Sequence, residues 1–153
     1  MDYKILDSIK NQEENALKEQ FALDVLTGFM SKNKFLPSKY FYDDKGSDLF
    51  VQITKSKDYY PTKAEKNIFE TRKSDIITHF KKSDSVLHLI ELGAGDGHKT
   101  KLLIDELIQN NIDIEYNPID ISENAIEGIS KKFNGAGIKT SGIVGEYIPA
   151  LKW

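Results

Sequence analysis

Glu91-Leu92-Gly93-Ala94-Gly95-Asp96-Gly97-His98-Lys99-Thr100 stands between an apolar run and a run of helical periodicity. That is the setting a nucleotide-binding glycine loop requires. Glycines allow the tight turn there and let the backbone approach a ligand closely. Working outward, Ser85 to Leu92 reads as a parallel strand covered on both faces, with His88 as a packed residue between Leu87 and Leu89. Lys99 to Gln109 reads as the following helix, and Ile112 to Ile119 as a second strand. Ser122 can cap a helix reaching Phe133, Asn134-Gly135-Ala136-Gly137 ends it, and Ile138 to Val144 reads as a third strand. Two right-handed crossovers in succession make part of a parallel, doubly wound α/β sheet of about three strands.

The ligand of the loop is narrowed by two residues. A dinucleotide fingerprint wants glycine at position 98, where His98 stands, and this weighs against a nicotinamide-dependent oxidoreductase. The acidic-x-G-x-G-x-G spacing instead resembles the first motif of class I methyltransferases, whose loop, here Gly93 and Gly95, holds the amino-acid portion of S-adenosylmethionine. Asp120 closes the second strand, where an ionised carboxylate can accept both vicinal ribose hydroxyls; the alternative is a turn or cap residue before Ser122. After the third strand, Glu146-Tyr147 offers a polar edge and an aromatic neighbour for an adenine.

Before residue 84 the patterns are helical and loop-like. Leu17, Phe21, Val25 and Phe29 recur at i, i+4 in a helix from Glu13 to Met30 expected to pack against the main domain. Ser47 to Ile53 reads as a short helix with Leu49, Phe50 and Ile53 facing inward. Thr62-Lys63-Ala64-Glu65 has the form of a capping box, with Thr62 as N-cap and Glu65 reaching back. The helix it opens should run from Lys63 to about Lys82 and bury Ala64, Ile68, Phe69, Ile76 and Ile77. Residues 1–83 thus form a helical region contributing to the site, and residues 84–153 a partial Rossmann-like domain.

The stretches Leu36-Pro37-Ser38-Lys39-Tyr40-Phe41-Tyr42-Asp43-Asp44-Lys45-Gly46 and Tyr59-Tyr60-Pro61-Thr62, with Glu65, resemble the N-terminal region of the histidine-specific methyltransferase family. Glu91 to Gly95 with Lys99-Thr100, and Tyr116-x-Pro118-Ile119-Asp120-Ile121-Ser122, fit the same family. The resemblance implies a class I methyltransferase fold and S-adenosylmethionine as cofactor. It implies methyl transfer to the α-amino group of an amino acid, histidine first among them. By the same resemblance Gly93, Lys99 and Asp120 contact the cofactor, Tyr42 closes over it, and Tyr59 contacts the amino-acid substrate. Glu146 and Tyr147 match a family Asp-Phe pair near the adenine and depart from it in both residues. Family chains are considerably longer, which implies that this chain is a portion lacking other substrate residues. No catalytic acid or base is assigned.

Composition sets the outer limits. A net charge of −3 gives no surplus for wrapping nucleic acid, and the pairs Lys81-Lys82 and Lys131-Lys132 fall at expected helix ends. There is no cysteine, and His79, His88 and His98 lack metal-ligand spacing, so no metal site is expected. Met1-Asp2-Tyr3-Lys4 begins no signal peptide and no window is apolar enough to span a bilayer, so no membrane is expected and the cytoplasm is the expected location. In methyltransferase sheets further strands pair beyond the first, so Val86 to Leu92 would present an unpaired edge here. That edge motivates the rival reading of a non-catalytic binding or assembly module that self-associates.

Overall fold

The strand ahead of the glycine loop alternates in exposure along its length, and this decides how the sheet is covered. The computed structural model describes residues 3–6, 14–80 and 85–152. Its strands are β1 (Tyr3–Ile5), β2 (Leu87–Leu92), β3 (Ile114–Asp120) and β4 (Gly142–Val144). All pair in parallel, in the order β1-β4-β3-β2. The expected α/β architecture is present with one strand more: Tyr3-Lys4-Ile5 lies beside Gly142–Val144, and the Leu6 amide donates to the Val144 carbonyl at 3.0 Å. β4 is shorter than the run from Ile138, which meets β3 only through a bridge between Thr140 and Tyr116 before the regular pairing begins.

Among the described residues the α-helices are α1 (Glu14–Met30), α2 (Asp44–Thr54), α3 (Pro61–Thr78), α4 (His98–Gln109), α5 (Glu123–Gly135) and α6 (Tyr147–Leu151). Leu87, Leu89 and Glu91 share a face of the sheet with Ile114, Tyr116 and Pro118, as strand alternation requires. Against that face α4 and α5 bury Ile104, Ile129 and Phe133 around Tyr116, and α3 adds Ile77 beside Leu103 and Leu107. The Tyr116 and Phe133 rings lie 4.9 Å apart, and the Tyr116 hydroxyl donates to Glu91. Burial first, and then that carboxylate, push the Tyr116 hydroxyl well above the ordinary tyrosine range.

The opposite face is covered only beside β1 and β4, where Leu6, Ile119, Ile143 and Ala150 cluster. On β2, Ile90 and Leu92 stand about half exposed and the His88 side chain is 61% exposed, near Glu115. The expectation of a strand covered on both faces, with a packed His88, is therefore corrected. All three covering helices, α3, α4 and α5, lie on the Leu87 side.

The N-terminal helices also depart from expectation. Leu17, Phe21, Leu26, Phe29 and Met30 of α1 remain exposed, so the expected packing of one apolar stripe against the main domain is corrected. Leu49, Phe50 and Ile53 of α2 are about half exposed rather than inward. Pro61 occupies the first position of α3, which moves the helix start forward and leaves Tyr60 at the N-cap without a side-chain bond. Ala64 and Ile68 stay exposed, while Phe69 and Ile76 join Ile77 in the core. The helix ends at Thr78; Lys81-Lys82 lie outside the described residues.

Asp24 ties α1 to the turn at Ser38–Phe41, accepting from Lys39 at 2.7 Å and from the Tyr40 hydroxyl at 2.6 Å. The Lys39 ammonium, then the Tyr40 hydroxyl, hold the Asp24 carboxyl down at about 2. A depressed carboxylate contributes its stabilisation above the unfolded-state value of about 4 and loses it as pH falls toward 2. Carbon-13 NMR of the Asp24 carboxyl should follow a midpoint near 2, moving up toward 4 in Lys39→Met. A midpoint near 4 in the unmodified chain would contradict the ion pair.

Candidate functional site

The chain leaves β2 through three glycines with left-handed backbones, Gly93 at φ 71°, Gly95 at 56° and Gly97 at 63°. Any other residue type would be strained there by about 1–2 kcal/mol. Gly93 is constrained by space as well, since a Cβ would lie 2.7 Å from the Tyr147 hydroxyl.

The loop hangs from the end of β3. Gly93 and Ala94 amides both donate to the Ile119 carbonyl, at 2.8 and 3.4 Å. The Gly95 amide donates to Asp120 Oδ2 at 3.0 Å, and the Ser122 amide donates to Asp120 Oδ1 at 2.9 Å. Ser122 in turn accepts from the Ala125 amide at 3.2 Å and caps α5. Asp120 is thus a turn residue and a loop anchor at once. An ionised carboxylate has about four lone-pair positions, so each oxygen can still accept a ligand hydroxyl.

Helix α4 starts at Gly97, whose missing side chain offers no cap. The His98 amide donates to Asp96 Oδ1 at 2.9 Å, and Lys132 Nζ donates to the Asp96 carbonyl at 3.3 Å. Lys99, in the first turn, donates from Nζ to Glu65 Oε2 of α3 at 2.7 Å. Glu65 therefore does not close a capping box on Thr62; it reaches across to the glycine-loop helix.

Tyr147 opens α6, with its hydroxyl above Gly93. Burial, then the nearby Asp120 and Tyr42, push that hydroxyl above its ordinary value. The structure thus gathers Gly93, Gly95, Asp120 and Tyr147 at one end of the sheet, with Tyr42 in electrostatic reach although 65% exposed. It does not bring in Glu146, an exposed N-cap without a side-chain bond, or Tyr59, whose ring packs edge-on against Phe50 with centroids 6.0 Å apart. The sequence marks Glu65 through a capping pattern and through the resembling stretch but gives it no contact with Lys99, and it marks Lys132 only as a solvated helix end. Glycines that leave room for a ligand, a carboxylate with spare lone pairs and an ammonium with two protons unused among the described residues fit a cofactor with ribose hydroxyls and an anionic amino-acid end.

Comparisons with known proteins point the same way. Residues 21–153 match a family model described as histidine-specific methyltransferase, SAM-dependent. A histidine N-alpha-methyltransferase of Mycolicibacterium smegmatis is 33% identical over 84% of this chain and 40% of its own length. Ergothioneine biosynthesis protein 1 of Schizosaccharomyces pombe is 33% identical over 72% of this chain and 15% of its length. An Aspergillus flavus N-methyltransferase is 29% identical over 85% and 36%. The chain therefore spans well under half the length of these relatives. Among solved structures, the CMeT domain of the citrinin polyketide synthase aligns with TM-score 0.42 and 18% identity over 69% of this chain and 27% of that one.

The contact between Gly93 and Tyr147 makes a specific prediction. Gly93→Ala should destabilise the chain by about 2 kcal/mol or more in urea unfolding, from backbone strain plus the clash. Tyr147→Phe in the same chain should restore part of that loss by removing the clashing oxygen. Equal stability of the single and double variants would mean that the hydroxyl does not lie over Gly93.

Proposed function

This chain belongs to the histidine-specific, SAM-dependent methyltransferase family, and we propose on that premise that it forms the S-adenosylmethionine-binding portion of an N-methyltransferase. The acceptor in this reading is the α-amino group of an amino acid, with histidine first to be tried because the Mycolicibacterium relative is a histidine N-alpha-methyltransferase. The observation that supports it best is Asp120, which holds the glycine loop by the Gly95 amide while keeping lone pairs for a ligand.

In this reading each residue has a defined task. Asp120 would accept the two ribose hydroxyls, and Gly93 and Gly95 would leave room for the amino-acid portion of the cofactor. Lys99 would donate to the cofactor carboxylate. Tyr147, with Glu146 beside it, would border the adenine, and Tyr42 would close over the site. Tyr59 packs on Phe50 apart from the gathered residues, and its task of positioning the acceptor amino acid rests on the family resemblance alone. Bound S-adenosylmethionine supplies a methyl group already activated on a sulfonium. The protein's remaining work is therefore proximity, in-line alignment and a deprotonated amine. No residue of this chain is assigned as a general base.

A second reading, a binding or assembly module that self-associates, is favoured by one observation. The outer edge of β2 is unpaired among the described residues, and Val86, Ile90 and Leu92 around it are about half exposed. Light scattering decides it. A dimer dissociated by Ile90→Lys would support that reading, whereas a stable monomer would end it. No described helix is long and apolar enough to cross a membrane.

Calorimetric titration with S-adenosylhomocysteine tests the main proposal. Binding should weaken about tenfold or more in Asp120→Ala, since a charged hydrogen-bonding group is worth about 1.5–3 kcal/mol. Reduced nicotinamide cofactor should not bind. A folded chain that binds the nicotinamide cofactor and not S-adenosylhomocysteine would overturn the proposal.

A further inference from the structure

Lys99 occupies the first turn of α4, where the helix dipole disfavours a cation. Its ammonium nevertheless has a fixed place, because Glu65 Oε2 accepts one of its protons at 2.7 Å. Glu65 is the sole partner of Lys99 Nζ among the described residues, so two of the three ammonium protons remain for a ligand. Both side chains are a little under half exposed. A pair of that exposure contributes little to stability, so its geometry is of more consequence than its energy.

The placement of Glu65 connects two parts of the site. It projects from the first turns of α3, the helix that begins directly after Tyr59-Tyr60, and it crosses to the helix that follows the glycine loop. Lysine is a point charge on a flexible four-carbon stem, and without a fixed acceptor it samples many rotamers. Held by Glu65, it is already ordered before a ligand arrives.

We propose that Glu65 is a positioning residue that orders Lys99 for the carboxylate of the cofactor's amino-acid end. This rests on the cofactor reading above and adds to it a residue that does not touch the cofactor. Glu65 acts through Lys99 alone, so its effect is confined to ligands carrying that carboxylate.

The test compares two ligands by calorimetry: S-adenosylhomocysteine, with the amino-acid end, and 5′-methylthioadenosine, without it. Immobilising a long side chain is worth about 0.5–1.5 kcal/mol, so Glu65→Gln should weaken S-adenosylhomocysteine about three- to tenfold. Methylthioadenosine affinity should stay the same, and Glu65→Asp should recover part of the loss. In a Lys99→Met background, Glu65→Gln should have no further effect, the non-additivity expected of a residue acting through another. Parallel loss of both ligands would show a merely structural role and overturn the proposal. A Glu65→Gln effect that persists without Lys99 would show direct contact with the ligand, and tighter S-adenosylhomocysteine binding would show that Glu65 competes for Lys99; either also overturns it. Failure of the unsubstituted chain to bind both ligands would overturn the cofactor reading and this proposal together. Normal binding with unchanged selectivity in Glu65→Gln would overturn the proposal alone.

Discussion

The ends of β2 and β3 are tied together by the last two residues of β3, and the site depends on that tie. The Ile119 carbonyl takes the Gly93 and Ala94 amides, and the Asp120 carboxylate takes the Gly95 amide. Three successive amides of an irregular loop are thereby satisfied by one short stretch of strand. Without such partners the loop would have to find water or another fold for those donors. The pairing of Leu92 with Ile119 brings the loop level with its acceptors, so the register of the sheet also sets the geometry of the site. The Asp120 contact to Ser122 then fixes the entry to α5 from the same carboxylate.

Beneath the loop, packing and polar chemistry meet in Tyr116. Its ring fills the space between β3, α4 and α5, and its hydroxyl reaches Glu91 just before the glycines. A buried hydroxyl without a partner would be costly, and a half-covered carboxylate there benefits from a donor. Each group answers the other's need, and the pair holds the end of β2 against β3. Phe133 closes the same cluster and lies where a Cβ on Gly97 would fall. Core packing thus reaches up to the loop and restricts which residues it can contain.

The parts of the fold legible in the sequence are those with a strong local signal. The glycine loop, the Ser122 cap and the helices on either side of β3 follow from spacing and turn chemistry, and the structure has them where expected. β1 was not legible: a three-residue strand carries almost no period, and only its pairing with β4 defines it. The coverage of β2 was not legible for a related reason. An apolar run cannot by itself distinguish one covered face from two, and Ile90 and Leu92 were read as covered. Glu65 illustrates the contest between local and tertiary signals. Its spacing from Thr62 suggests a cap, but Pro61 fits the first helical position and starts α3 earlier. Glu65 then falls past the position from which it could reach back, and its carboxylate goes to Lys99. For the candidate site, sequence identified the loop and Asp120 but not the contacts that fix them.

Backbone that only glycine tolerates and an unfavourably placed cation fall together at one loop, and that combination is informative. Three of the four glycines with positive φ lie within residues 93–97. Helix α4 has glycine at its N-cap, with its first amide held by the Asp96 carboxylate, and carries Lys99 against its dipole. Stability alone would favour an acid over a lysine at position 99. A cation in the first turn costs about 0.3–1 kcal/mol, which counts against the narrow margin of a small domain. Helix α5, by contrast, has its Ser122 cap, an acid in its first turn and Lys132 in its last. A cation set against the dipole of one crossover helix, where the neighbouring helix observes local preference, points to a constraint other than folding. The departures have a common chemical result, since they leave backbone, ammonium and carboxylate available together at the end of the sheet. The groups present suit a ligand with an anionic end and vicinal hydroxyls.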